Sequence, residues 1–318
     1  MTKSDPDTLY HYTDANSLMS ILRTQTLWAT DAIYLNDSRE IRYGIKKFKK
    51  VLLSYQPVDE LNGMDSTAVG KALAQINSIE SSLHDGNARR VYVTCFSAKS
   101  DSLSQWRGYG SSGGGFAIGF DRNLLGDLSY KIESENDPLK ILHLPISAEA
   151  EATDSHIVDP FDIDIFNSKS IIGRQTTAAA FPVGYGSKKA KLICDELVES
   201  IVEQEANASY MGQWPQLFTS SIALWKMCLV KHKAFEDERE WRLVMADFVQ
   251  KPIPEFRSSA TLGVVPYIVL NLPKKAIKSI VVGPGRHAKL RAESVKQLLT
   301  QLGISDVEVI NSEVPFRS

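Results

Sequence analysis

The strongest chemical signal in the sequence is the acidic segment 235–244, which reads Phe-Glu-Asp-Glu-Arg-Glu-Trp-Arg-Leu-Val. In a β-strand, alternate side chains share a face, so Glu238, Glu240 and Arg242 would lie together, opposite Trp241 and its apolar neighbours. The two carboxylates would stand about 7 Å apart. Like charges at that separation raise the pKa of one carboxyl unless a cation or a ligand compensates. A half-exposed edge strand with surface ion pairs is the structural alternative.

Two familiar glycine motifs overlap at residues 108–114. Gly108, Gly110 and Gly113 satisfy G-x-G-x-x-G, and residues 110–114 satisfy G-x-S-x-G. Both motifs need a strand before them and a helix after them. Here the pattern predicts the reverse order, which disfavours a dinucleotide fold and a serine hydrolase. We interpret the glycines as a flexible turn close to a ligand.

A second glycine turn, Gly283-Pro-Gly-Arg-His287, has the strand–turn–helix order that can hold an anion on backbone N–H groups. A plain strand–helix connection is the favoured interpretation. The six histidines show no H-E-x-x-H pattern and no pair at helical spacing, so no metal site is predicted. The three cysteines are odd in number and lack C-x-x-C spacing, which argues against a disulfide framework.

A basic run occupies the second predicted helix. This helix is expected to begin within residues 35–40, where Asp37 and Glu40 have the spacing of a capping box. Six basic residues follow: Arg39, Arg42, Lys46, Lys47, Lys49 and Lys50. We interpret the run first as a solvated helix face, with an anion-binding surface as the alternative.

Composition limits the classes of protein to consider. The chain has 318 residues, a formal net charge of −2 and 43% hydrophobic residues, which excludes a disordered or fibrous protein. A net charge this close to zero also argues against a protein that binds nucleic acid through its whole surface. The polar N-terminus lacks a signal peptide, and the longest apolar stretch, 262–272, is too short to span a bilayer. We therefore expect a cytoplasmic protein with no membrane partner.

The elements that must position the acidic segment follow from hydrophobic periodicity. Strands are predicted near residues 8–13, 90–97, 115–120, 128–132, 139–144, 238–246, 264–270, 277–282 and 307–309. Helices are predicted from residue 14, over 65–85, at about 101–108, around Cys194 and Val198, around Phe218 and Trp225, and up to Gly303. Strands and helices mix without steady βαβ alternation, so we predict an α+β fold. It would form a single domain over 1–318, with helical insertions at about 48–90 and 150–235.

Five short blocks occur in a specific order along the chain: Leu9-Tyr-His11-Tyr-Thr13, Leu35-Asn-Asp37 with Glu40, Cys95-Phe-Ser97, Trp106-Arg-Gly-Tyr109 and Glu238-Arg-Glu240-Trp-Arg242. Together they resemble the domain-of-unknown-function 2971 family, an uncharacterised bacterial family that looks like a remote branch of the ADP-ribosyltransferase superfamily. The resemblance implies a split β-sheet core of the ADP-ribosyltransferase type.

The resemblance also implies residues that bind NAD. His11 on the first strand would hold a ribose, and Ser97 would line the nicotinamide pocket. Tyr12, with Trp106 or Tyr109, would stack on nicotinamide or adenine. The middle strand ends Cys-Phe-Ser where the superfamily has Ser-Thr-Ser, so Ser97 departs most from the family pattern.

By the same resemblance, Glu240 would be catalytic and Glu238 would assist it or position the acceptor; which of the two acts first is left open. NAD would be the substrate, nicotinamide would leave as a neutral molecule, and no metal would be needed. A fixed carboxylate would stabilise the oxocarbenium-like transition state. The acceptor would be a protein or a nucleic acid, in a role such as toxin or phage-defence effector. An NAD glycohydrolase and a non-catalytic nucleotide- or ADP-ribose-binding module are the alternatives.

Overall fold

The computed structural model describes residues 5–35, 39–54, 66–83, 90–109, 114–126, 128–130, 180–206, 223–246 and 252–315. The strands are β1 (Thr8–Thr13), β2 (Thr26–Asp31), β3 (Val91–Ser97), β4 (Phe116–Asp121), β5 (Ala180–Pro182), β6 (Gly184–Tyr185), β7 (Val230–Lys231), β8 (Glu240–Ala246), β9 (Glu255–Ser259), β10 (Gly263–Asn271), β11 (Ile277–Val282) and β12 (Glu308–Asn311). The helices are α1 (Ala15–Thr24), α2 (Arg39–Leu52), α3 (Ser66–Ser82), α4 (Leu103–Tyr109), α5 (Gly186–Ala206) and α6 (Ala288–Gln301).

Ten of these strands form one mostly antiparallel sheet with the order β12-β11-β4-β1-β3-β2-β10-β9. Among the described strands of this sheet, only β11 and β12 pair in parallel. The order above contains eight of the ten strands. The other two, β8 and β5, lie off this path: β8 pairs with β3 along the whole length of β3, and β5 pairs with β8. A mixed α+β fold is therefore confirmed.

Strand β3 joins the two halves of the sheet. On the edge away from β8, β1 meets the C-terminal end of β3 at Tyr10↔Ser97, whereas β2 meets its N-terminal part at Thr30↔Val93. From β1 the sheet continues to β4, and from β2 it continues to β10. The two halves consequently diverge from β3, and the end of β3 that carries Ser97 lies beside β1.

Helices cover both faces of the sheet. One core cluster joins the sheet to α1 and α6, and a second joins its other face to α2, α3 and α5. Trp241, Leu243 and Met245 belong to the first cluster, as their alternation predicts. Glu240 and Arg242 are also buried, and β8 has a neighbour on each side, so the half-exposed edge strand is excluded for this segment.

The predicted strand over 238–246 is wrong at its start, because β8 begins at Glu240. Residues 233–238 form a 3-10 helix, and Arg239 has the left-handed φ of 47° that turns the chain into β8. Asp14 caps α1 as its position predicts, accepting from the backbone N–H of Ser17 at 2.8 Å.

Other predicted elements have mixed outcomes. Of the strand predicted near 128–132, only residues 128–130 are described, and they form an isolated bridge between Ser129 and Asn271. The predicted strand over 139–144, the Asp37 cap and the N-terminal part of the helix around Phe218 lie outside the described residues. Residues 223–227 are helical, and Trp225 is buried there. None of the described helices has the length and apolar character needed to cross a membrane.

Candidate functional site

His11 lies in the middle of β1, where it faces β3. Its Nδ1 lies 2.9 Å from the carbonyl oxygen of Cys95. A carbonyl can only accept, so Nδ1 carries the proton, and Nε2 of the neutral ring is an acceptor. Burial lowers the pKa of His11 below 6.5, although the Cys95 hydrogen bond opposes this shift. The ring is therefore neutral near pH 7 and can accept a hydrogen bond from a ligand hydroxyl.

Glu240, the first residue of β8, is held by two cations. Arg242 donates from Nε to Oε1 at 2.7 Å, and Lys231 donates from Nζ to Oε2 at 2.8 Å. Burial alone would raise the pKa of Glu240, but the charges and hydrogen bonds of these two cations outweigh it and hold the pKa at about 2. Glu240 is consequently an ionised carboxylate with a fixed orientation.

Lys231 connects the two acids of the E-x-E segment. Its ammonium also donates to Oε2 of Glu238 at 2.7 Å and lies 4.8 Å from the centre of the Phe235 ring. The repulsion expected between the two carboxylates is thus offset by a shared cation. Sequence reasoning missed Lys231; the available signal was a lysine that closes the apolar run from Met227 to Val230.

The backbone around Glu240 is fixed as well. Its N–H donates to the hydroxyl of Tyr185, on β6, at 2.9 Å. Burial is the main reason that the pKa of Tyr185 rises to about 12. Arg242 also donates from Nη1 to the carbonyl oxygen of Cys228 at 2.6 Å. The acid is therefore fixed by β6, β7 and the segment before β7 together.

These groups border a cleft of about 340 Å³, part of which is open to solvent. The part of it that the centre of a water molecule can reach is about 40 Å³. The cleft contains five of the residues predicted for the site together with other aromatic and polar groups. Its lining residues are Tyr10, His11, Tyr12, Cys95, Phe96, Gln105, Tyr109, Glu238 and Glu240.

Ser97 does not belong to that lining. It is buried, donates from Oγ to the carbonyl oxygen of Glu238 at 2.7 Å, and accepts from the N–H of Lys99 at 3.1 Å. In the sheet it lies opposite Glu240. The described contacts of Ser97 therefore position the acidic segment.

Of the three predicted aromatic residues, Tyr109 is the most accessible, with 45% of its surface exposed. Tyr12 is buried, and its hydroxyl donates to the carbonyl oxygen of Lys99 at 2.8 Å. Trp106 packs against the Tyr12 ring at 4.6 Å and lies outside the cleft lining. Its indole N–H donates to Asp101 at 2.6 Å. Trp106 thus anchors α4, which presents Tyr109.

The two glycine turns pack against each other. The N–H of Gly283 donates to the carbonyl oxygen of Gly115 at 3.0 Å, so this donor is already used within the protein. A Cβ on Gly283 would overlap the carbonyl oxygen of Gly114. Gly114 and Gly115 also have positive φ angles. Close backbone approach therefore explains the glycines at these positions; residues 110–113 lie outside the described part.

The chemistry that this cleft offers is acceptance of hydrogen bonds beside aromatic rings. His11 Nε2 and the carboxylates of Glu238 and Glu240 are acceptors, and Tyr10 and Tyr109 supply ring surface. Over the described ranges, no group of three or more His, Cys, Asp or Glu side chains is arranged to hold a metal ion. The arrangement suits a ligand that has a planar ring and hydroxyl groups.

Comparison with known proteins agrees with one of the resemblances seen in the sequence. No curated protein and no solved structure matches the chain. A family model does match, over less than half of the chain, from α4 to the middle of β8. Residues 105–243 match the family described as "Protein of unknown function (DUF2971)", and this match supports membership of the chain in that family.

Proposed function

We propose that the chain is an NAD-dependent ADP-ribosyltransferase that releases nicotinamide and transfers ADP-ribose to a macromolecule. One observation carries this proposal: His11 from β1, Glu238 at the end of the 3-10 helix and Glu240 at the start of β8 line the same cleft. These are the residues to which the sequence resemblance assigns ribose binding and catalysis. The divergence of β1 and β2 from one edge of β3 also suits a split sheet.

In the proposed complex, Nε2 of His11 accepts a hydrogen bond from a ribose hydroxyl. The exposed ring of Tyr109 lies against the planar nicotinamide. The ring of Tyr10 lines the same cleft. Neutral His11 suits this role because a protonated ring would offer no acceptor.

Glu240 supplies negative charge next to the anomeric carbon. Each carboxylate oxygen has two lone pairs, so the bonds from Lys231 and Arg242 leave acceptor capacity for substrate. Because these cations keep Glu240 ionised, the charge is present before the transition state forms. Glu238 has a more exposed side chain, 27% against 6% for Glu240, and is better placed to meet the acceptor.

The bond changes balance without a further reactant. Nicotinamide leaves with the electron pair of the bond between its nitrogen and the ribose carbon, and this neutralises the charge on its ring. The acceptor nucleophile forms the new bond to that carbon. Glu238 takes the proton that the nucleophile loses, and later releases it to solvent.

The test is nicotinamide release from NAD by the wild type, His11→Ala, Glu238→Gln and Glu240→Gln. Matched controls are His287→Ala and Glu293→Gln, since both residues are exposed and lie on or beside α6. We expect a loss of about 100-fold or more in the His11 and Glu240 variants. The controls should keep the wild-type rate. Equal rates in all the proteins would overturn the proposal.

Two further measurements identify the reaction. His11→Ala leaves the ion-paired acids untouched, so its loss of activity with a normal unfolding curve separates catalysis from misfolding. With NAD labelled in the adenine ring, label on a macromolecule supports a transferase. Label found only as free ADP-ribose would show that water is the acceptor. Tight NAD binding without nicotinamide release would indicate a binding module.

A further inference from the structure

Lysines and two aromatic rings from three elements lie close to Tyr185, the residue that holds the backbone of Glu240. They are Lys47 on α2, Lys188 and Lys189 on α5, and Lys233 on the 3-10 helix, together with the rings of Tyr43 and His232. We refer to this set as the basic surface.

Contacts between the three elements connect these residues. Lys47 donates from Nζ to the hydroxyl of Ser187 at 3.0 Å, which joins α2 to the start of α5. Lys47 also lies 5.3 Å from the centre of the Tyr43 ring, and Tyr43 meets the His232 ring at 5.5 Å. His232 precedes Lys233 in the chain, so α2, α5 and the 3-10 helix contribute to one surface.

Two of the lysines, Lys189 and Lys233, have their Cβ atoms near Gly184 and Gly186, the glycines on either side of Tyr185. A Cβ on Gly184 would lie 3.0 Å from Cβ of Lys189, and one on Gly186 would lie 3.8 Å from Cβ of Lys233. Between these glycines stands Tyr185, whose hydroxyl holds the backbone of Glu240. The basic surface is therefore built on the strands that fix the acidic segment.

At the start of α5, the charge of this surface is not balanced by an acid in the same turn. Lys188, Lys189 and Lys233 are exposed, and the first turn of α5 carries no acid. By contrast, Lys49 on another side of α2 pairs with Glu80, and Lys191 pairs with Asp195. Glu236 lies in the first turn of the 3-10 helix, three residues after Lys233, and offsets part of the charge there. Lys99 donates to the carbonyl oxygen of Asp237 at 3.2 Å.

Aromatic rings between the lysines indicate which polyanion fits. Tyr43 and His232 lie within the surface, and Phe235, 38% exposed, follows Lys233 by two residues. Single-stranded nucleic acids are bound by basic grooves that carry aromatic rings, because bases stack while lysines contact phosphates. An acidic protein would use the lysines but would gain little from the rings.

We propose that the basic surface binds the phosphate backbone of a single-stranded nucleic acid. The binding itself does not depend on NAD chemistry. Its further role, to present this nucleic acid as the acceptor of ADP-ribose, rests on the proposed function. The net charge of −2 is compatible with such binding because the contact is local.

Binding is measured by fluorescence anisotropy with labelled 20-nucleotide single strands of DNA and RNA, over a range of salt concentrations. The variant carries Lys47→Gln, Lys189→Gln and Lys233→Gln. Its control carries Lys274→Gln, Lys289→Gln and Lys296→Gln, which remove the same charge from exposed positions elsewhere.

Each lost phosphate contact reduces the slope of log affinity against log salt by about 0.7 for a single strand. We expect the triple variant to lose about 2 from the slope. Between 50 and 200 mM salt, that difference amounts to about 20-fold in affinity. The control should bind as the wild type does.

Three results would overturn this proposal: no binding by the wild type at low salt, equal loss in the variant and the control, or competition by polyglutamate as effective as that by an oligonucleotide. The triple variant should also release nicotinamide at the wild-type rate when no acceptor is present. Loss of oligonucleotide binding with normal nicotinamide release supports the surface. Oligonucleotide binding without any nicotinamide release would refute only the transferase.

Discussion

Replacing Lys231 by methionine tests whether the ion pairs at the cleft act through charge. The Lys231 ammonium contacts Glu238 at 2.7 Å and Glu240 at 2.8 Å, and its side chain is 9% exposed. Methionine has a similar length and can keep the contact with the Phe235 ring. The substitution therefore removes the charge with little change in volume.

The magnitude follows from Glu240. Its pKa is about 2 in the folded protein, against an ordinary value of 4.5. A lowered carboxyl pKa contributes stability that is present above pH 4.5 and is lost as the pH falls towards 2. The difference corresponds to about 3 kcal/mol in the free energy of unfolding, an order-of-magnitude figure. Arg242 still holds Glu240 after the substitution, so Lys231→Met should remove only part of that contribution, about 1–2 kcal/mol at pH 7.

The assay is urea unfolding of the wild type and the variant at pH 7, 5 and 3. The wild type loses the full contribution of Glu240 on acidification, whereas the variant loses only the share that Arg242 supplies. The difference in unfolding free energy between the two proteins should therefore narrow by about 1 kcal/mol from pH 7 to pH 3. An equal difference at pH 7 and pH 3 would refute the electrostatic explanation and leave packing as the cause.

Lys226→Met is the matched control. Lys226 is buried like Lys231, but it donates to Glu196, whose side chain is 58% exposed. After the substitution, water can solvate that carboxylate, so no buried charge is left without a cation. We expect a smaller loss of stability that changes little between pH 7 and pH 3. If the difference from the wild type in unfolding free energy narrows between pH 7 and pH 3 as much for Lys226→Met as for Lys231→Met, the pH dependence does not report on Glu240.

Two further substitutions test the packing around the site. Gly283→Ala places a methyl group on the Gly114 carbonyl oxygen and should cost about 3 kcal/mol in urea unfolding, whereas Gly70→Ala, with open space around it in α3, should stabilise by about 0.5–1 kcal/mol. A neutral Gly283→Ala would refute the close approach of the two turns. Tyr185→Phe removes the acceptor of the Glu240 N–H and should cost about 1–3 kcal/mol. Hydrogen exchange at the Glu240 amide should also accelerate; an unchanged rate would show that the hydroxyl does not protect it.

Much of the fold could be predicted where hydrophobic periodicity is strong. The alternation of Trp241, Leu243 and Met245 predicts the buried face of β8, and the pattern of Val295 and Leu299 predicts α6. The start of β8 could not be read in the same way. The segment before Glu240 is polar, and the left-handed φ of Arg239 depends on tertiary contacts that leave no periodic trace.

The site was predictable in its residues but less so in their contacts. His11 and the two acids could be identified, and they line one cleft. The bridge through Lys231 could not, because it depends on the pairing of β6 with β7, two strands of two residues each. Such short strands carry no detectable pattern. For the same reason, the role of Tyr185 had no signal in the sequence.

The pairing of β1, β3 and β8 has a consequence for how the cleft is assembled during protein synthesis. His11 and Cys95 leave the ribosome long before Glu238 and Glu240, and the acids reach the cleft only when β8 pairs with β3. Contacts between residues so distant in the chain form slowly, because a long loop must close first. A nascent chain that ends before residue 238 holds neither acid. If the proposed reaction modifies cellular macromolecules, this order of assembly keeps the growing polypeptide inactive until its catalytic groups have been made and joined.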